Sequence, residues 1–291
     1  MRFPNSKSLL RLAAVITAGL VLAGCQDGRV AYAITNTNTL ISFQTDNATR
    51  IDSEVSFTGL AANETVVQID FRPANEQLYG LTSNNRIVTI DPTSGAATLV
   101  STTPFTTATL VSPVMDVNAI DDYLRVISSS SGSTAAFNGR VNPTNGMLIQ
   151  TDAAPIFDPD DVNDGEVPQL AAIAYTNSRT NATTTTLYGL EVTTQTLVRI
   201  TNAGVLTTVG ALDRGFVSQA GFDIVRDRGD QDNDEVGTPY VIIAPRGGTS
   251  RFYNFNLSSA NTSQEDRIDG DRIIRGMAVD LNPPERNGFA L

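Results

Sequence analysis

Residues 66–100 read VVQIDFRPANEQLYGLTSNNRIVTIDPTSGAATLV, and they contain the clearest structural pattern of the chain. Short runs in which apolar and polar residues alternate are separated by turn residues, a pattern typical of β-strands. Between the last two runs, Pro92 presets a turn conformation and Gly95 can adopt the positive φ that closes the turn. The stretch therefore predicts four strands, Val66–Phe71, Gln77–Leu81, Arg86–Asp91 and Ala97–Val100.

The same unit recurs along the chain. An aromatic residue followed by apolar residues is found at intervals of 44 to 65 residues, at Tyr32, Tyr79, Tyr123, Tyr188 and Tyr240. The turn at Asp91–Gly95 is repeated as NPTNG at Asn142–Gly146. Propeller blades of four strands have about this length. We interpret the tyrosines as packing between blades rather than as a platform for stacking sugars.

The two ends of the repeat region complement each other. Val30–Thr35 has the pattern of a second strand, whereas Gly276–Asp280 has that of a first strand. Together they complete one blade, which would close the ring and protect both edges of the array. We predict an all-β protein with a single five-bladed β-propeller domain at residues 30–291; a β-sandwich and a propeller of six or seven blades are the structural alternatives.

Several segments also resemble a known family. LYGLTSNNRIVTIDPTSGAATLV, MDVN with DYLRVIS and RVNPTNG, AIAYTNS with TTTTLYGLE, and AGFDIV occur in this order over residues 30–281. In that order they resemble the landmarks of domain-of-unknown-function family 4394, secreted bacterial proteins expected to be β-propellers. The resemblance implies the fold and brings no activity with it. The acidic insertions of this sequence depart from the family pattern.

The first residues have the order of an export signal. Arg2, Lys7 and Arg11 precede an apolar run that ends in Leu22-Ala23-Gly24-Cys25. The apolar run is shorter than the roughly 20 residues that a membrane-spanning helix needs, so a cleaved signal is favoured over a retained anchor. LAGC resembles the lipobox of bacterial lipoproteins, in which the cysteine is lipidated. We predict a lipoprotein signal peptide at residues 1–24, lipidation of Cys25 and a short tether at residues 25–29.

The charge composition of the chain limits the classes of partner that it can bind. Removing residues 1–24 shifts the formal net charge from −11 to −14, and Lys7 is the only lysine. Such a surface repels phosphate backbones, which argues against nucleic-acid binding. The partners that we expect are the membrane, through Cys25, and an unidentified protein or carbohydrate. Gln26 after the cysteine favours the outer membrane of a two-membrane envelope, or otherwise an extracellular or periplasmic face.

One carboxylate recurs within the first strand of the repeat, at Asp70, Asp116, Asp223 and Asp280. The fourth unit has Ala174 at the corresponding place. Because first strands line the channel of a propeller, we expect these carboxylates to ring one end of the channel. Such a ring could bind Ca²⁺ or act as acid and base in glycoside hydrolysis. The alternative, which we favour, is that each aspartate caps the turn leaving its own strand by bonding nearby backbone N–H groups.

Two further acidic stretches stand out. One stretch contains Asp227, Asp230, Asp232 and Asp234, the last three at alternate positions as at the start of a calcium loop. Glu235 and Val241, however, stand where a turn glycine and a closing glutamate belong. We therefore consider a calcium-stabilised loop, with Asp230, Asp232 and Asp234 as ligands, beside a merely solvated loop. Residues 158–166 read as an exposed acidic insertion.

The sequence lacks the residues that nucleophilic catalysis and zinc binding usually require. The sequence has no histidine, and its one cysteine is the lipidation site, so nucleophilic catalysis and zinc sites have little support. No certain cofactor is predicted; Ca²⁺ is the one considered. We therefore predict a non-catalytic binding or interaction module, with a carboxylate- or metal-dependent hydrolase at the channel and a purely structural surface protein as alternatives.

Overall fold

The computed structural model describes residues 28–215, 219–226, 237–245 and 248–282. Within these ranges the regular structure is entirely β, and it forms five sheets. Each sheet is one blade, so the predicted five-bladed propeller is confirmed. No helix that could cross a lipid bilayer is found in the described ranges.

Blade 1 combines both ends of the described chain, as β21 (Ile274–Val279), β1 (Val30–Thr35), β2 (Thr39–Gln44) and β3 (Asn47–Ser56). Blade 2 contains β4 (Val66–Arg72), β5 (Gln77–Thr82), β6 (Ile87–Ile90) and β7 (Ala97–Leu99). Blade 3 contains β8 (Val111–Asn118), β9 (Tyr123–Ser129), β10 (Phe137–Val141) and β11 (Leu148–Thr151). Blade 4 contains β13 (Leu170–Tyr175), β14 (Leu187–Glu191), β15 (Thr196–Ile200) and β16 (Val205–Ala211), with β12 (Ile156–Phe157) added at its outer edge. Blade 5 contains β17 (Ala220–Val225), β18 (Thr238–Ile243), β19 (Arg251–Phe255) and β20 (Thr262–Arg267).

The turns between the third and fourth strands use the predicted chemistry. In blade 2, Gly95 has a φ of 74°, and its N–H donates to the carbonyl of Asp91. The Asp91 side chain accepts the N–H of Thr93 at 2.9 Å. Asn142 and Gly146 repeat this arrangement in blade 3. A side chain that mimics the turn backbone, followed by a residue with positive φ, therefore joins these strand pairs.

The chain ends share a sheet as predicted. β1 pairs with β21 in antiparallel register, with Tyr32 opposite Ala278. The pairing adds β21 as the inner strand of blade 1, beside the channel, so that strands from both ends of the described chain share one sheet. Closure of this kind removes the unpaired strand that would otherwise invite association.

The apolar core is divided among the blade interfaces. Each of five buried clusters joins residues of two neighbouring blades, with Phe222 and Leu197 in one and Phe43 and Phe252 in another. The rings of Phe43 and Phe252 meet edge to face, with centroids 5.4 Å apart. Four of the recurring tyrosines pack within or against these clusters, namely Tyr32, Tyr79, Tyr188 and Tyr240. Stability thus depends on blades packing on one another, since no single sheet buries its own faces.

The acidic insertion at residues 158–166 is attached to blade 4. β12 pairs in parallel with β16, and the Asp161 carboxylate accepts the Thr208 hydroxyl at 2.7 Å. Asn163 donates to the same hydroxyl at 2.8 Å. The insertion therefore extends the outer edge of blade 4.

Candidate functional site

The first strands of the five blades surround a central channel. These strands are β21, β4, β8, β13 and β17, and each contacts the next around the ring. Residues at the same register position therefore lie at the same depth in the channel. At one depth the described residues form a buried tier of aspartates, and at the end where the inner strands begin they line a cavity.

We call the deeper level the carboxylate tier. It contains Asp70, Asp116 and Asp223, each only 3% exposed to solvent. One carboxylate oxygen from each residue lies within 4.8 Å of the others. Three of the four aspartates singled out in the sequence are thus brought together.

Register explains why Asp280 stands apart from the tier. Asp70 and Asp223 lie opposite Tyr79 and Tyr240 on their second strands. In blade 1, the residue opposite the corresponding Tyr32 is Ala278, so Asp280 lies two positions further along the strand. It is partly exposed and accepts the N–H of Asn282. Ala174, opposite Tyr188, occupies the tier position in blade 4, as the sequence suggested.

The tier aspartates connect adjacent blades. Asp70 Oδ2 accepts the backbone N–H of Val117 in blade 3 at 2.8 Å. Asp116 Oδ1 accepts that of Tyr175 in blade 4 at 3.0 Å, and Asp223 Oδ2 accepts that of Val279 in blade 1 at 2.6 Å. In each case the donor is the backbone N–H of the residue immediately after the tier position on the inner strand of the next blade. The sequence predicted that each aspartate caps the turn leaving its own strand, but these three bonds reach the neighbouring blade instead. We call these contacts the inter-blade clips.

In two cases the tier position of the preceding blade is an alanine, which cannot accept a hydrogen bond through its side chain. The equivalent backbone N–H is then accepted by the tier aspartate of its own strand. Ala278 precedes blade 2 in the ring, and the N–H of Phe71 is accepted by Asp70 Oδ1 at 2.7 Å. Ala174 precedes blade 5, and the N–H of Ile224 is accepted by Asp223 Oδ1 at 2.6 Å. All five equivalent backbone donors around the channel are therefore paired, which burial requires.

Burial determines the ionisation of the tier. Desolvation raises the pKa of Asp223 to about 7. Desolvation also raises the pKa values of Asp70 and Asp116 well above the usual range of an aspartate, and the negative charges of neighbouring tier aspartates raise both values further. Close like charges in a buried site disfavour simultaneous ionisation. The tier therefore retains protons at pH values where ordinary carboxylates have lost them.

The carboxylates of the tier also have the spacing that a Ca²⁺ ion could bridge, since its oxygen ligands lie at about 2.3–2.6 Å. Five of the six carboxylate oxygens, however, already accept a backbone N–H. The raised pKa values mean that protons can lower the negative charge of the tier without additional ligands. The hydrogen bonds thus favour the structural role over the catalytic one.

The second level is a cavity of about 240 Å³, which we call the channel mouth. All five inner strands, or the residue just before them, contribute to its lining. The lining residues are Val67, Gln68, Ser112, Pro113, Val114, Leu170, Ala171, Gln219 and Arg275. A concave site with apolar walls and a few polar groups is the usual form of a small-molecule site.

Strand bulges shape the channel mouth. The pairing register shifts at this depth in four of the five blades, leaving extra residues on the inner strands. The extra residues are Val67, Ser112 with Pro113, Ala171 and Arg275, and every one of them lines the cavity. A bulge redirects side chains out of the regular alternation, and bulges are common beside functional sites. The channel mouth therefore owes its shape to irregularities repeated around the ring.

Arg275 is the one cationic residue among the described residues that line the channel mouth. Its Nη2 donates to Asn38 Oδ1 at 3.3 Å, while its buried Nε has no hydrogen-bond partner. No ion pair of Arg275 with a described carboxylate is seen, and desolvation lowers its pKa. Gln68 lies beside it, because its Nε2 donates to the Arg275 carbonyl at 3.2 Å. Sequence reasoning missed Arg275, since no spacing pattern marks a bulged residue.

A second arginine missed by sequence reasoning lies between blades 3 and 4. Arg125 is 1% exposed and lies opposite Asp116, where the other blades have a tyrosine. Its Nη1 donates to Asp152 at 2.6 Å and to Asn138 at 2.8 Å. Tyr123 lies two register positions away, opposite Asn118, so the tyrosine motif is displaced in this blade. Arg125 belongs to a structural network in which its hydrogen bonds compensate the buried charge.

Some sequence-predicted features lie outside the described residues. These are the signal peptide at residues 1–24, Cys25, and the acidic loop with Asp230, Asp232 and Asp234. They stay predictions.

Several solved structures are similar to this chain at low sequence identity. A protein of unknown function from Bacteroides caccae is 11% identical, with 82% of this chain and 73% of that chain covered and a TM-score of 0.45. A gluconolactonase from Xanthomonas campestris is 15% identical, with 84% and 78% covered and a TM-score of 0.42. An engineered GH43 glycoside hydrolase is 12% identical, with 84% and 53% covered and a TM-score of 0.47. No curated protein matches the chain. The profile described as "Domain of unknown function (DUF4394)" matches residues 39–278, and the chain therefore belongs to that family.

Proposed function

We propose that this protein is a non-catalytic binding module tethered to the cell envelope, which uses the channel mouth as its ligand site. The observation that carries this proposal is the convergence of bulged residues from four inner strands on one cavity. Regular pairing at these positions would need no extra residues, so the bulges serve the cavity rather than the sheets.

The chemistry of the channel supports binding over hydrolysis. The tier aspartates are buried and bonded to backbone N–H groups, whereas a glycosidase needs two carboxylates in contact with substrate. The channel mouth offers amide, hydroxyl and guanidinium groups, through Gln68, Gln219, Ser112 and Arg275. These groups bind hydroxyl-bearing or charged ligands but lack the acid–base pair of a hydrolase.

A binding and turnover screen tests the proposal. Neutral and acidic mono- and disaccharides, short peptides and sugar lactones would be titrated into purified full-length protein in mild detergent, with binding followed by calorimetry. We expect at least one probe to bind and none to be converted, as measured on the same samples by chromatography. Turnover of any probe would favour the hydrolase, and an absence of binding across the panel would favour a purely structural protein.

A matched pair of variants locates the binding. Ser112 is exposed at the channel mouth with a φ of 46°, and Gln264 is exposed on the outer strand β20 with a φ of 51°. Ser112→Phe should abolish binding by filling the cavity, while Gln264→Phe should leave it unchanged. Both variants should keep the thermal midpoint within a few degrees. Equal loss of binding in both would place the site elsewhere.

The envelope tether is tested separately. One acyl chain holds a protein only marginally, so the complete lipoprotein modification of Cys25 would supply the stable anchor. Cys25→Ala should move the protein from the membrane pellet to the soluble fraction, as measured by fractionation and immunoblotting. A variant that remains in the pellet would contradict the tether and leave the binding proposal untouched.

A further inference from the structure

Arg275 gives the lining of the channel mouth a positive charge. Among the described residues that line the cavity, Arg275 is the one charged residue, and none is acidic. The formal net charge of the whole chain is nevertheless −11. An arginine without a carboxylate partner in a strongly acidic protein is placed where an anionic ligand can supply that partner.

The other groups define the rest of the ligand. Asn38 holds one edge of the guanidinium through Nη2, and the buried Nε remains unpaired. An unpaired buried donor is unfavourable, so a side-chain rotation that pairs Nε with a ligand oxygen would be favoured. Gln68 and Ser112 offer hydrogen bonds to hydroxyl groups, while Val67, Pro113 and Leu170 form apolar walls. A cavity of about 240 Å³ suits a ligand smaller than the drug-sized molecules of typical pockets.

We propose that the channel mouth binds a compact, hydroxyl-bearing carboxylate of the size of one sugar acid, with Arg275 pairing its carboxylate group. This inference rests on the proposed function and adds the ligand class. A planar carboxylate matches the two parallel donors of a guanidinium fork, which a neutral hydroxyl does not. The apolar walls contact the carbon face of a ring, and Gln68 with Ser112 binds its hydroxyl groups.

The test compares a sugar acid with its neutral counterpart. D-galacturonate, D-glucuronate and D-galactose would each be titrated into full-length protein in mild detergent. We expect at least one uronate to bind at least tenfold more tightly than galactose. Arg275→Gln should weaken uronate binding about tenfold or more and so remove the preference for uronate over galactose. The matched control is Arg199→Gln, because Arg199 is exposed on the third strand of blade 4, and it should change neither.

A second variant distinguishes a specific loss of binding from a general loss of folding. Arg275→Lys keeps the positive charge but not the guanidinium fork, so it should bind uronate with intermediate affinity and unfold at a similar temperature. Uronate binding that is no tighter than galactose binding, or that survives Arg275→Gln unchanged, would overturn the inference. If another probe of the broader panel still bound in a Ser112-dependent way, the proposed function would stand while this inference failed.

Discussion

The Asp70 carboxylate of blade 2 accepts the backbone N–H of Val117 in blade 3, with 2.8 Å between Asp70 Oδ2 and Val117 N. Asp116 and Asp223 form the equivalent clips to blades 4 and 1. The ring is therefore held at its narrowest circumference by side chains that belong to one blade and satisfy the backbone of the next. Such bonds replace the water that strand edges would otherwise bind.

Removing one clip should destabilise the propeller. Asp70→Ala leaves the N–H groups of Val117 and Phe71 without their acceptors, and each unpaired buried donor costs about 1–3 kcal/mol. We expect the free energy of unfolding to fall by about 2–4 kcal/mol, measured by denaturant titration. The control is Asp280→Ala, which removes a partly exposed carboxylate from outside the tier and should cost less than about 1 kcal/mol. Equal costs for the two variants would show that the clip adds nothing.

The carboxylate tier should make the protein less stable as the pH rises. The pKa of Asp223 is raised to about 7, so between pH 4 and 7 the folded state holds a proton that the unfolded state has released. That contribution to stability is complete below pH 4 and is lost as the pH passes through 7. Carboxylates with a lowered pKa, such as Glu54 beside Arg272, contribute in the opposite direction.

Comparison with Asp116→Asn isolates the tier. This variant removes one carboxylate whose pKa is raised, while Glu54 and similar groups are common to both proteins. We expect the free energy of unfolding of the wild type to decline more steeply between pH 5 and 8 than that of the variant, as measured by urea titration at each pH. Parallel pH profiles would contradict a proton-holding tier.

Shared protons, rather than a metal ion, are expected to balance the charge of the tier. Metal analysis of purified protein at pH 6 should find no stoichiometric calcium that depends on Asp116. Chelator should leave the thermal midpoint of the wild type and of Asp116→Asn unchanged. A calcium-dependent rise in the midpoint that is lost in Asp116→Asn would instead identify the tier as a cation site.

Arg125, buried between blades 3 and 4, should contribute far more to the free energy of unfolding than the exposed Arg50. Arg125→Met removes the hydrogen bonds to Asp152 and Asn138 and should cost about 3–5 kcal/mol of unfolding free energy. The control is Arg50→Met: the Arg50 side chain is 72% exposed, and losing its ion pair with Asp52 should cost less than about 1 kcal/mol. Chemical denaturation measures both values. A small effect of Arg125→Met would mean that apolar packing compensates for the lost network.

Blade closure could be predicted from the sequence because the complementary strand patterns lie in the chain itself. Val30–Thr35 was predicted as a strand with the bounds that β1 has, and its pairing with β21 was expected. The position of Asp280, by contrast, could not be predicted from the sequence pattern. AVDL and QIDF look equivalent as sequences, yet the pairing of β1 with β21 places Ala278 at the tier position. A shift of two residues preserves the face of the strand and therefore leaves no trace in the apolar pattern.

The strands, the turns, the fivefold repeat and the closing of the ring can be read from the amino-acid sequence, because these follow from local alternation and from the φ preferences of glycine and proline. Three features emerge from the folded chain alone: which aspartates meet, where the inner strands bulge and that Arg275 lines the channel mouth. Those features depend on register between strands that are distant in sequence. Register is set by packing across the blades rather than by the residues of any one strand.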